Sequence, residues 1–220
     1  MKTILLTFVL LCSVQSCKAQ TQKKFFENNI KKDTMIYPIV TKDFETFNQF
    51  QYENRKDKNT SVLREFLEDG TYLEVDGLGD IKQSWETPKY SFFKISKYYY
   101  KNKNIKNKGL GFNSGGFPKG TWYEFDEKGN LIKEIDYDKN YKFTFEDILN
   151  FCEKENIRVD KGPILQSTGF HTRIYRDRPY LGKNNWGISW LKKVDIIEDI
   201  VIDGTTGKVL SRTDRGYENN

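Results

Sequence analysis

The segment Gly120–Ile157, GTWYEFDEKGNLIKEIDYDKNYKFTFEDILNFCEKENI, decides the fold. Trp122, Glu124 and Asp126 alternate with Tyr123 and Phe125, the period-two pattern of a strand whose two faces meet different surroundings. Asp126-Glu127-Lys128-Gly129 reads as a turn. Aspartate can accept hydrogen bonds from the backbone just ahead of it, and glycine takes a positive φ without steric cost. On the returning strand Leu131, Lys133 and Ile135 alternate with Ile132, Glu134 and Asp136. A helix follows, with Thr144 as N-cap, Asp147 three residues on in a near capping box, and Phe143 and Ile148 at the positions of a hydrophobic staple. Phe145, Ile148, Leu149 and Cys152 recur at i, i+3, i+4 and i+7, an apolar stripe that a sheet must cover. The unit is β-β-α. The expected fold class is α+β, an antiparallel β-rich hairpin ladder followed by a helix packed on a small antiparallel sheet.

The same reading extends in both directions. Val62–Leu67, the turn Glu68-Asp69-Gly70 and Thr71–Val75 form a second hairpin. Tyr90–Tyr100 reads as a strand and Asn102–Lys108 as its turn. Thr41–Tyr52, with Phe44, Phe47 and Phe50, reads as a short helix capped by Thr41 or as an irregular packing segment. Beyond the helix, Gly162-Pro163 opens a loop and strands are expected at Phe170–Arg176, Trp186–Leu191 and Ile196–Ile202. Trp186, Ile188 and Trp190 fall on one strand face. Ile202–Leu210 is a further tight hairpin.

Of the 220 residues, 30% are charged and 15% aromatic, so the chain is polar yet able to build an aromatic core. Lys2 and the apolar run Ile4–Leu11 have the form of an export signal, too short to span a bilayer. The following Val14-Gln15-Ser16-Cys17 resembles a bacterial lipobox, which implies lipidation of Cys17; cleavage after Ala19 is the alternative. Either reading exports the chain to the cell envelope, lipid-anchored in the first case and secreted in the second. The expected division is a signal segment at 1–17, a tether at 18–36, a hairpin region at 37–139 and a helix-plus-sheet region at 140–220. Cys152 is the one cysteine left in the folded part, so no intramolecular disulfide is available there. Loss of Lys2 lowers the formal charge from +5 to +4, which does not suggest a nucleic-acid partner.

LEDGTYLE (67–74) and GTWYEFDEKGNLIKE (120–134) resemble the repeats of the MORN-type, YwqK-like antitoxin family. That resemblance implies a ladder of hairpins without catalytic residues. Ile202-Asp203-Gly204-Thr205-Thr206-Gly207-Lys208-Val209-Leu210 is similar to the closing strand pair of PepSY domains. This second resemblance implies an envelope-exposed module that binds or inhibits peptidases.

Catalytic chemistry has little to stand on. His171 is the one histidine, and with only Cys152 for company it cannot complete a usual zinc site. Cys152 lies on the apolar helix stripe, where a thiol stays protonated, so a Cys152–His171 nucleophilic pair is disfavoured. Gly109–Gly116, followed by Lys119-Gly120-Thr121, lacks the residue order of a phosphate loop and reads as a flexible, candidate binding loop. Asp136, Asp138, Asn140 and Asp147 echo a calcium loop, but Tyr141 stands where glycine is needed. Lys97, Lys101, Lys103, Lys106 and Lys108 surround Tyr98-Tyr99-Tyr100, and read as a solvated or edge-protecting face. Arg173, Tyr175, Arg176, Arg178 and Tyr180 form the candidate binding set, suited to an acidic or anionic ligand. The expectation is a non-enzymatic envelope lipoprotein without metal or cofactor. It would bind an exported or envelope protein as an inhibitor or immunity-type factor, or alternatively a glycan or other anionic ligand.

Overall fold

Each hairpin of the first half lays its returning strand beside the last, and the product is a sequential antiparallel sheet of seven strands. These are β1 (Val62–Phe66), β2 (Tyr72–Asp76), β3 (Gln83–Thr87), β4 (Phe93–Tyr99), β5 (Ile105–Phe112), β6 (Pro118–Phe125) and β7 (Leu131–Asp136). The computed structural model describes residues 37–77, 82–165, 169–176 and 178–217. The export signal, Cys17 and the tether lie outside the described residues.

The expected hairpins are present with the expected turn chemistry. Asp126 Oδ1 accepts from Lys128 N and Asn130 N, both at 2.9 Å, and Gly129 takes φ 89°. Two strands depart from expectation. Gln83–Thr87 pairs with both neighbours as β3, although its residues are largely polar. Of the stretch read as turn and glycine loop, residues 102–104 belong to the β4–β5 turn as expected, Ile105–Phe112 is β5, and residues 113–115 turn again. Gly109 is in the strand because the Trp122 indole lies where a side chain would stand: a Cβ there would be 2.3 Å from three of its atoms to within 0.1 Å. Lys108 is buried because its ammonium reaches Glu45 Oε1 at 2.9 Å and Asp43 O at 2.6 Å.

The helix near the N-terminus, α1 (Gln49–Arg55), starts later than Thr41. Its cap is Asn48, whose Oδ1 accepts from Gln51 N at 3.0 Å. Of the three phenylalanines considered there, Phe47 packs against Tyr52 and Tyr99, whereas Phe50 is 78% exposed.

The second helix, α2 (Phe145–Lys154), has a full capping box. Thr144 Oγ1 accepts from Asp147 N at 3.2 Å, and Thr144 N donates to Asp147 Oδ2 at 2.8 Å. Phe145, Ile148 and Cys152 are buried, as the stripe requires. The four-stranded antiparallel sheet β8 (Arg173–Arg176), β9 (Asn185–Lys193), β10 (Ile196–Asp203) and β11 (Val209–Gly216) has the order β11-β10-β9-β8. Arg212 of β11 pairs with Glu155 at the helix end at 2.9 Å and lies over the Phe151 ring. The fold is therefore α+β, with the helix on the small sheet.

The helix also joins that sheet to the large one. Phe145 meets Phe93 and Phe112 with ring centroids 4.9 and 5.4 Å apart, and Phe117 meets Trp186 of β9 at 5.2 Å. Each such buried side chain contributes about 1.5–3 kcal/mol of hydrophobic stabilisation. From Tyr37 onward the described residues belong to one compact unit.

Candidate functional site

Between the end of β7 and the edge strand β8 lies a cleft of about 500 Å³, within the usual size of a ligand site. The β5–β6 turn forms one wall. Gly115 has φ 124°, and a Cβ there would stand 2.0 Å from Ile174 O. Glycine thus lets the turn close on β8, where Ile174 N donates to Ser114 O at 3.1 Å. The opposite wall is Ile135 to Tyr141, and Arg176 and Arg178 come from and just beyond β8.

Arg176 is the floor. Its side chain is 1% exposed, and its guanidinium carbon sits 4.5 Å from the Tyr141 ring centroid, 5.0 Å from Phe117 and 5.1 Å from Trp186. One nitrogen donates to Pro118 O and lies 2.9 Å from Asp138 Oδ1. The other carboxylate oxygen of Asp138 accepts from Lys119 Nζ at 2.7 Å and Gly120 N at 3.1 Å. Burial opposes charge on Asp138, but Lys119 and Arg176 outweigh it and hold the carboxyl below its ordinary value. With Glu146 Oε1 3.9 Å from Lys119 Nζ, the two cations of the floor face two carboxylates, and the floor is neutral overall. At the surface Lys139 and Arg178 are exposed, and among the described residues neither has a carboxylate in ion-pair reach.

The expected set Arg173, Tyr175, Arg176, Arg178 and Tyr180 does not share one surface. Strand alternation turns Ile174 and Arg176 inward and leaves Arg173 and Tyr175 on the opposite face. Arg176 is thus a packed core residue, a correction to its reading as part of the Arg/Tyr face. Arg178 remains at the cleft. Tyr175 lies over Gly187 and meets Tyr180, 74% exposed, at 6.1 Å between centroids. Tyr137 and Lys139 are cleft residues that local sequence reading does not single out, and Asp138, read only in the calcium-like stretch, lies beneath them as the partner of Arg176. The one usable signal was the spacing of Ile174 and Arg176.

Other candidates have structural partners. His171 Nδ1 is 2.7 Å from Asp160 Oδ2. The Cys152 thiol is pushed up to about 12, by burial first and Glu155 second. In the calcium-like stretch, Asp138 is committed to cations and Asp147 to the helix cap. No group of three or more His, Cys, Asp or Glu among the described residues is placed to hold a metal ion. Comparison with family models, with characterised proteins and with solved structures gave no match.

Proposed function

We propose that the protein is a non-enzymatic binding module of the cell envelope, anchored by lipid at Cys17, whose cleft receives an acidic, extended segment of an exported protein. The observation that carries this reading is the pair of exposed cations, Lys139 and Arg178, which have no carboxylate in ion-pair reach among the described residues, at the mouth of a cleft with an apolar and aromatic wall. Beside it β7 is the outermost strand of its sheet, with Ile132 61% exposed. An extended segment can hydrogen-bond to such an edge and deliver a carboxylate into the cleft. The paired floor does not compete for that carboxylate, because Asp138 already neutralises Arg176. In this reading the partner is a toxin or peptidase that the module inhibits.

The test uses the intact protein in its own membranes with a photo-reactive side chain at Ile132. One covalent adduct with a single exported protein is expected, and the double charge reversal Lys139→Glu, Arg178→Glu should abolish it. Replacing Cys17 by serine should move the adduct from the membrane to the soluble fraction. An adduct that survives the charge reversal, or no adduct, would refute the cleft reading.

A further inference from the structure

The outer face of the seven-stranded sheet carries a row of aromatic rings that the core does not use. Register fixes its membership. Trp85 of β3 is opposite Ser96, Tyr98 of β4 is opposite Asn107, and Asn107 is opposite Glu124, so Trp85, Tyr98 and Trp122 project from the same face. Tyr98 and Trp122 have centroids 6.3 Å apart with planes inclined by 31°, and Tyr137 stands edge-on to Trp122 at 6.1 Å. From β3 to β6 is three strand spacings, roughly 14 Å. All four rings keep part of their surface exposed.

The setting of Trp122 is particular. The Cβ direction of a strand residue is perpendicular to the sheet, and at Gly109 it meets three atoms of the indole five-membered ring at 2.3–2.4 Å. Equal distances to three ring atoms mean that the ring lies face-on over the glycine. One face is spent on the strand, so the other points away from the sheet. Trp122 Nε1 donates to Leu110 O at 3.0 Å, which fixes the ring in that attitude. The platform is therefore pre-organised, and a ligand need not order it.

At the Trp85 end the row meets a small cavity of about 50 Å³ lined by Lys94. The Lys94 ammonium stands 5.5 Å from the Trp85 ring centroid, and among the described residues it has no carboxylate at ion-pair distance. Glu74 lines the same cavity, but its carboxylate is held by Arg64 at 2.8 Å. Burial disfavours the charged form of Lys94 and lowers its pKa, with Glu74 opposing that shift. An arriving anion would relieve an amine placed in this way.

We infer that this face is a saccharide-binding platform, on which Trp122 and Tyr98 stack the C–H faces of successive sugar rings, Tyr137 and Trp85 flank them at either end, and Lys94, over the Trp85 ring, pairs with the carboxylate of an acidic sugar. The outward face of Trp122, with the Tyr98 ring inclined to it by only 31°, suits the apolar face of a pyranose, Tyr137 stands upright beside it, and the Lys94 ammonium supplies the preference for a uronate-type unit over a neutral one. The platform shares Tyr137 with the cleft wall, but its ammonium, Lys94, is not a cleft residue, and the inference does not depend on the cleft reading.

The test is titration of the intact protein with a galacturonate hexasaccharide, and with a neutral glucose oligomer of equal length, by calorimetry and tryptophan fluorescence. Saturable quenching is expected with the acidic probe, which should bind about tenfold more tightly than the neutral one. Trp122→Phe keeps the glycine covered and should weaken the acidic probe several-fold; Trp85→Ala should weaken it about tenfold. Lys94→Gln should remove the preference for the acidic probe while leaving neutral binding in place. Lys139→Glu with Arg178→Glu should leave the affinity for the neutral probe unchanged. The proposal is overturned if neither probe binds at millimolar concentration. It is also overturned if the tryptophan variants melt as wild type does and bind unchanged, or if Lys94→Gln keeps the acidic preference.

Discussion

Replacing Asp138 by asparagine tests the central electrostatic claim about the cleft floor. Arg176 is almost wholly enclosed, and Asp138 is the carboxylate that neutralises it at 2.9 Å. Stranding one member of a fully buried pair costs about 3–5 kcal/mol. Here the Asp138 side chain is 30% exposed, so water can answer part of the lost charge, and we expect about 2–3 kcal/mol. For a domain of this size that corresponds to a fall in Tm of about 5–10 °C. The double variant Asp138→Asn, Arg176→Met should be more stable than the single variant, because an apolar chain among Phe117, Tyr141 and Trp186 leaves no buried guanidinium to compensate, and the Lys119 ammonium keeps Glu146 at 3.9 Å. Acidity supplies an internal control. The native carboxyl is held below its ordinary value of 3.8, so its contribution is complete above that value and is lost as pH falls through the lower native one. The Tm difference between wild type and Asp138→Asn should therefore narrow below about pH 4. Calorimetry from pH 2.5 to 8 reads all three effects. A single variant within about 2 °C of wild type at pH 7, or a double variant less stable than the single, would refute the reasoning.

Two further outcomes follow from the helix. Cys152, with its thiol pushed up to about 12, should resist an aromatic disulfide reagent at pH 8 in the folded protein and react promptly in guanidinium; peptide mapping would show rapid native labelling if this is wrong. Thr144→Ala removes one half of the capping box and should cost about 1 kcal/mol, whereas Thr144→Ser should be near neutral; equal Tm values for alanine and wild type would contradict the cap.

The parts of the fold that could be read from the chain are those whose stabilising partners are close in sequence. Asp126 bonds residues two and four positions ahead, and Thr144 bonds a residue three ahead, so the β6–β7 hairpin and α2 announce themselves. The strands of the small sheet are also legible, because Ile188, Ile200 and Ile202 all face the core and little interrupts their alternation. The cap of α1 was misplaced for a related reason. Phenylalanine spacing suggested Thr41, but Phe44 and Phe50 are exposed, and the segment is held by long-range contacts such as Phe47 with Tyr99 and Thr46 with Asn104.

β5 shows where local reading must fail. Ile105-Lys106-Asn107-Lys108-Gly109-Leu110-Gly111-Phe112 has two lysines and two glycines, which on propensity alone argue against a strand. Both objections are answered from elsewhere in the chain. Lys108 is neutralised by Glu45, 63 positions earlier, and the bare backbone of Gly109 is covered by Trp122, the residue that follows the Asn107–Glu124 and Lys108–Tyr123 pairs across the strands. The same logic explains the binding set. Arginine at position 176 looks like a surface residue until Asp138 and three aromatic rings are placed around it, and no spacing within β8 reveals that partner. What the β8 spacing does give is the direction: Arg176 must follow Ile174 inward, and the sequence distance to Asp138 is what hid the reason.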